Sequence, residues 1–68
     1  MMRFVIVDDD KAAANALAKK LAAYDETELC GIALNGLDGL RMINETRPDV
    51  LFLDIELPDI SGIEFLEH

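Results

Sequence analysis

The apolar positions of the chain fall into blocks of two different periods. Phe4-Val5-Ile6-Val7 and Val50-Leu51-Phe52-Leu53 are unbroken apolar runs, closed by Asp8 and Asp54 respectively. Short apolar runs bounded by polar residues suit strands buried on both faces, the usual state in a parallel sheet. Leu29-Cys30-Gly31-Ile32-Ala33-Leu34 is a weaker run, predicted as a strand that Gly31 either marks as an edge or opens to the close approach of a helix. Between the first two runs the period lengthens. Ala14, Leu17, Ala18, Leu21 and Ala22 follow the i, i+3, i+4, i+7 spacing of a helix face, with Lys11, Lys19 and Lys20 off it. Residues 24–28 are polar and are predicted as the exit loop.

A second helix is predicted from Asn35, an N-cap residue, with Asp38 placed to complete a capping box. Leu37, Leu40 and Ile43 supply its buried stripe, Met42 flanks it, and Arg47-Pro48 stops it, because a residue before proline is biased out of the helical region. Beyond the third apolar run, Leu57-Pro58-Asp59 is predicted as a turn. Ser61-Gly62-Ile63-Glu64 has capping-box spacing, so a third helix is expected to begin near Gly62. The order β-α-β-α-β, followed by a helix start, predicts an α/β fold: a doubly wound parallel sheet with helices on both faces. Three strands are too few to close a barrel.

Composition narrows the function classes. At 68 residues the chain is one small domain at most, burying about 60% of its extended surface. Fourteen acidic against six basic residues give a formal net charge of −8, which argues against direct contact with nucleic acid or an anionic membrane. The single cysteine, Cys30, excludes an intrachain disulfide and reads as a small buried hydrophobe. No apolar run is long enough to span a bilayer, and no signal-peptide pattern opens the chain. A reducing cytoplasmic setting is expected.

The candidate chemistry lies where the strands end. If the first and third strands are neighbours, Asp8, Asp9 and Asp54 converge at one edge of the sheet. Crowded carboxylates raise one another's pKa or call for a cation, and oxygen-only ligation suits Mg²⁺. A carboxylate beside such a metal is a competent nucleophile towards phosphorus, giving an acyl phosphate. The alternative is that these acidic residues only cap helices, and Asp9 or Asp10 is expected to do so. Asp54 fits capping less well, since the next helix starts several residues later.

Taken together, Phe4-Val5-Ile6-Val7-Asp8-Asp9-Asp10 and Asp54-Ile55-Glu56-Leu57-Pro58-Asp59-Ile60-Ser61-Gly62 resemble the CheY-like receiver domain of two-component response regulators. That family's pattern is a strand ending in an acidic pair and a later strand ending in Asp-x-x-(Met/Leu)-Pro-x-x-x-Gly. Pro48-Asp49 and Asn35-Gly36 are also typical of it. The resemblance implies a flavodoxin-like sheet in the order 2-1-3, with residues 1–68 forming part of a receiver domain. It further implies that Asp54 is the phosphoacceptor, supplied by a sensor histidine kinase. Asp9 would ligate Mg²⁺ directly, Asp8 mainly through water, and the Glu56 backbone carbonyl would complete the protein ligands. Asp10 is read as a helix-start residue, and Pro58 and Gly62 as shaping the loop.

A receiver is a signalling phosphoacceptor that assists its own phosphorylation rather than an enzyme acting on others. The family's fourth strand, with its Ser/Thr switch hydroxyl, and its fifth, with its phosphate-binding lysine, have no counterpart in these residues; Lys11 follows the wrong strand. The third strand is therefore expected to present an open edge and to pair with a second copy of the chain. Leu-Pro-Asp-Ile-Ser-Gly is similar to the wording in regulators with a LytTR-type DNA-binding output domain. Leu66-Glu67-His68 resembles the start of a vector-encoded histidine tag, which would end the native match near Phe65. Two rival readings stand beside the receiver. One is a haloacid-dehalogenase-type phosphatase fragment acting through Asp8 and Asp10, although the threonine usual there is Ala12. The other is a non-catalytic, self-associating half-domain.

Overall fold

The structure, a computed structural model, describes residues 1–54 together with Leu57 and Asp59. Five elements follow in order: β1 (Met2–Val7), α1 (Lys11–Ala22), β2 (Thr27–Ala33), α2 (Gly36–Thr46) and β3 (Val50–Leu53). The strands form one parallel sheet in the order β2-β1-β3, as the receiver resemblance implies. The step from β1 to β2 runs one way across the sheet, and the step from β2 to β3 runs back past β1. Connections of one hand that run in opposite directions put their helices on opposite faces.

Alternation along β1 divides the core accordingly. Phe4 and Ile6 pack with Ala14, Leu17, Ala18 and Leu21 of α1. Val5 and Val7 pack with Leu40, Met42 and Ile43 of α2, and with Ala33 and Leu57. The Phe4 and Phe52 rings meet edge to face, with centroids 6.0 Å apart, across the α1 side. β1 is the buried centre, with Phe4, Val5, Ile6 and Val7 all nearly inaccessible.

Gly31 takes the second of its two expected roles. A Cβ at this position would stand 2.6 Å from Met42 Sδ, so the missing side chain admits Met42 of α2 against the strand. Directly before it the β1–β2 register shifts: Phe4 faces Leu29, but Val5 faces Gly31. Cys30 is thus the extra residue of a bulge, half-buried on the α2 side.

Several expectations need correction. β3 is half-buried along its length rather than buried on both faces as its apolar run suggests; among the described residues only β1 pairs with it, in keeping with the open edge expected of this strand. β2 begins at Thr27, so the exit loop is shorter than the polar composition implied. Thr27 Oγ1 donates to Leu21 O and Tyr24 O, tying the strand start to the end of α1. Ala22 is exposed, at the frayed end of its stripe. Leu37, in the first turn of α2, is 61% exposed, and Met42 packs against the core instead.

Arg47 does leave the right-handed region, but for the left-handed one (φ 48°, ψ 65°), and its N–H still bonds Ile43 O at 2.8 Å. The third helix expected near Gly62, the Ser61 capping box and the Glu56 carbonyl lie outside the described residues.

Candidate functional site

The reversal of direction between β2 and β3 leaves a crevice at the carboxyl ends of β1 and β3, the position where open α/β sheets bind ligands. Val7 faces Leu53 in register, so the next residues, Asp8 and Asp54, emerge side by side. Backbone bonds carry the ladder one step past the strands: Asp54 N–H donates to Val7 O at 2.9 Å, and Asp8 N–H to Ala33 O at 3.0 Å. Asp8, Asp9 and Asp54 each contribute a carboxylate oxygen to a group lying within 4.8 Å of one another.

The acidic run divides its labour. Asp10 is the N-cap of α1, with Oδ1 accepting from Ala13 N–H at 3.1 Å. Asp8 Oδ1 accepts the Asp10 N–H at 2.9 Å and braces that turn. Capping is therefore met by one residue, and the cluster that remains is Asp8, Asp9 and Asp54. The phosphatase reading needs Asp10 as an acting group, yet its carboxylate is committed to the helix start.

The Asp9 carboxyl is held above the ordinary carboxylate value of 3.8. Local exclusion of water is the largest cause, followed by the Asp54 charge, a side-chain hydrogen bond with Asp54 and the Asp8 charge; a backbone hydrogen bond opposes them. Three oxygen donors of like charge suit a hard divalent cation. Donors about 2.1 Å from an octahedral Mg²⁺ lie about 3–4 Å apart, so the observed spacing fits with small rotations or a bridging water. Asp8, Asp9 and Asp54 are the described residues that could hold such a cation.

These observations place the chain among known proteins. Residues 4–68 match the response regulator receiver domain family. The chain belongs to that family. A response regulatory protein of Vibrio cholerae serotype O1 is 46% identical over 66 residues, covering 97% of this chain and 28% of that protein. The transcriptional regulatory protein BtsR of Escherichia coli K12 is 39% identical over 66 residues, again 97% of this chain and 28% of the relative. The crystal structure of the response regulator domain of Thermotoga maritima CheB superposes with a TM-score of 0.94 at 31% identity, over 98% of this chain and 50% of that one. The receiver-family chain thus spans about half of a solved receiver domain and under a third of these curated relatives. Among the described residues, no helix is long and apolar enough to cross a membrane.

Two residues escaped expectation, Asp59 near the receiver site and Arg3 at the other end of the sheet. Asp59, expected only as part of a turn, accepts the Gly36 N–H at 2.6 Å through Oδ1 and the Leu37 N–H at 2.9 Å through Oδ2. With Asn35 Oδ1 accepting Asp38 N–H at 2.8 Å, the first three amides of α2 are all satisfied. The Asp38 carboxylate, expected to close a capping box on the Asn35 backbone, instead takes the Asn35 side-chain amide at 3.0 Å.

At the opposite end of the sheet, Arg3 Nη1 donates to Thr46 O at 2.7 Å and Arg47 O at 3.4 Å. Arg3 Nε lies 3.6 Å from Glu28. No spacing rule links these partners. Asp59 and its α2 amides are separated by 22 and 23 positions, Arg3 and its carbonyls by 43 and 44.

Proposed function

We propose that this segment, residues 1–68, forms part of a receiver domain that takes a phosphoryl group onto Asp54 from a sensor histidine kinase. The observation that carries the reading is the convergence of Asp8, Asp9 and Asp54 at the switch point between β1 and β3. Bound Mg²⁺ supplies charge neutralisation for the donor phosphoryl group. Asp9 would ligate it directly, Asp8 through water, with the Glu56 backbone carbonyl as a further ligand. An Asp54 carboxylate oxygen would attack phosphorus in line. The new oxygen–phosphorus bond forms as the donor's bond breaks, leaving a phosphoaspartate. The added charge is the signal.

The relative named as a transcriptional regulatory protein supports a transcriptional output for the whole protein, with DNA contact made outside this acidic segment. Membership of the receiver family supports a cytoplasmic setting.

The test is direct. Incubation with Mg²⁺ and acetyl phosphate should add one phosphoryl mass to the chain, mapped to Asp54 and lost in Asp54→Asn. An unchanged mass, with no gain in stability on adding Mg²⁺, would overturn the reading in favour of an idle acidic cluster.

A specific observation also favours self-association. β3 carries four half-buried apolar residues and, among the described residues, pairs only through its β1 edge. An open apolar edge is a template for a second strand. Sedimentation of the 68-residue chain should shift with concentration; a monomer at all concentrations rejects the pairing.

A further inference from the structure

We propose that Asp59 is a positioning residue for the acidic site, anchoring the loop that follows Asp54 on the first turn of α2. This deepens the reading above and rests on Mg²⁺ being held at Asp8, Asp9 and Asp54. The loop is fastened at three described points. At its start, Asp54 N–H bonds Val7 O at 2.9 Å. Further along, Leu57 is only 9% exposed and packs among Val5, Val7 and Ala33, the strand ends beneath the site. At Asp59 the carboxylate spans two successive amides, Gly36 at 2.6 Å and Leu37 at 2.9 Å.

The last fastening has a reason to be a carboxylate. A helix N-terminus carries partial positive charge and unsatisfied N–H groups, and both oxygens of Asp59 are used on them. Asp54, one of the three clustered carboxylates, opens the segment that Leu57 and Asp59 fasten. Ligand sites need their groups held within about 0.5 Å, and fastenings on the segment leaving Asp54 limit how far it can shift. If Asp59 merely capped α2, its loss would alter helix stability and leave metal binding untouched.

Linkage separates the two roles. If the anchor tightens Mg²⁺ binding, Mg²⁺ must tighten the anchor by the same factor. The experiment titrates Mg²⁺ alone into the unsubstituted chain and into Asp59→Ala and Asp59→Asn, following backbone amides by NMR. Asp59→Ala should weaken Mg²⁺ binding about tenfold, the low end for groups that orient metal ligands. Asp59→Asn, which keeps one acceptor oxygen, should recover part of that loss.

In the unsubstituted chain, Mg²⁺ should raise the exchange protection of the Gly36 and Leu37 amides, a response absent in Asp59→Ala. Unchanged affinity in either variant with its β1 amides still protected, or no Mg²⁺ effect on Gly36 and Leu37, overturns the proposal while leaving the metal site standing. If Asp59→Ala fails to fold, Asp59→Asn and the protection measurement decide. Absence of Mg²⁺ binding in the unsubstituted chain overturns the metal reading, and this proposal with it.

Discussion

The two ends of the sheet are built from opposite electrostatic situations. At the amino end, Arg3 draws four parts of the molecule together. Its backbone exchanges hydrogen bonds with Asp49, through Arg3 N–H to Asp49 Oδ2 at 2.9 Å and Asp49 N–H to Arg3 O at 2.8 Å. Its guanidinium meets the last carbonyls of α2 and faces Glu28 of β2. A cation there complements the negative end of the helix. At the carboxyl end, carboxylates from β1 and β3 face one another, and Asp9 is pushed towards its neutral form. One end resolves its charges; the other accumulates them. The same helix, α2, touches both, with Arg3 at its C-terminus and Asp59 at its N-terminus. Paired charges and hydrogen bonds gather at the first end, and like charges at the second.

Substitutions should separate these ends. The largest effect on stability is expected at Arg3. Arg3→Ala removes donors from the Thr46 and Arg47 carbonyls and should destabilise the chain by about 1–3 kcal/mol, read as a lower denaturant midpoint. Arg3→Lys should recover only part, since an ammonium cannot reproduce the planar fork. Neither change should alter phosphorylation of Asp54 per folded molecule. A loss of phosphorylation in a folded Arg3 variant would break the division between the ends.

A smaller effect of opposite sign is expected at Asp9. Its folded-state pKa lies above the unfolded value, so the folded state favours the proton. The corresponding stability is fully present below the unfolded value of 3.8 and is lost as pH rises through the folded value. Without metal, the chain should therefore lose stability across a window starting near pH 3.8 and extending above it. Asp9→Asn should flatten that slope and leave the metal-free chain more stable at neutral pH than the unsubstituted one. Unfolding curves at a series of pH values check both points; an unchanged slope in Asp9→Asn would mean that Asp9 is not the group responsible.

The smallest effect is that of ionic strength. Added monovalent salt should stabilise the metal-free chain slightly by screening the exposed part of the cluster. The gain should be reduced in Asp9→Asn.

How much of this was legible in advance follows from the range of each interaction. The three strands apart from the start of β2, most of the first helix stripe, a cap at Asp9 or Asp10, the cap at Asn35 and the convergence of Asp8, Asp9 and Asp54 were readable. Each rests on neighbours a few positions apart, or on the rule that strand ends carry sites. Leu37 misled because periodicity marks a face of the helix without saying which of its positions meet the core. The apolar run of β3 taken alone misled in a similar way, since it records which residues prefer burial, not how many strands stand beside them; the open edge came from the receiver resemblance.

The sequence alone therefore determined the elements, their alternation and the acidic residues at the strand ends, because propensity, capping and period act over a single turn or strand. Only the tertiary structure decided that Arg3 closes one end of α2 and Asp59 the other, that Leu57 seals the core beneath the site, and that Gly31 admits Met42. Those contacts join residues far apart in the chain, and they exist because the reversed crossovers bring particular element ends into reach of one another.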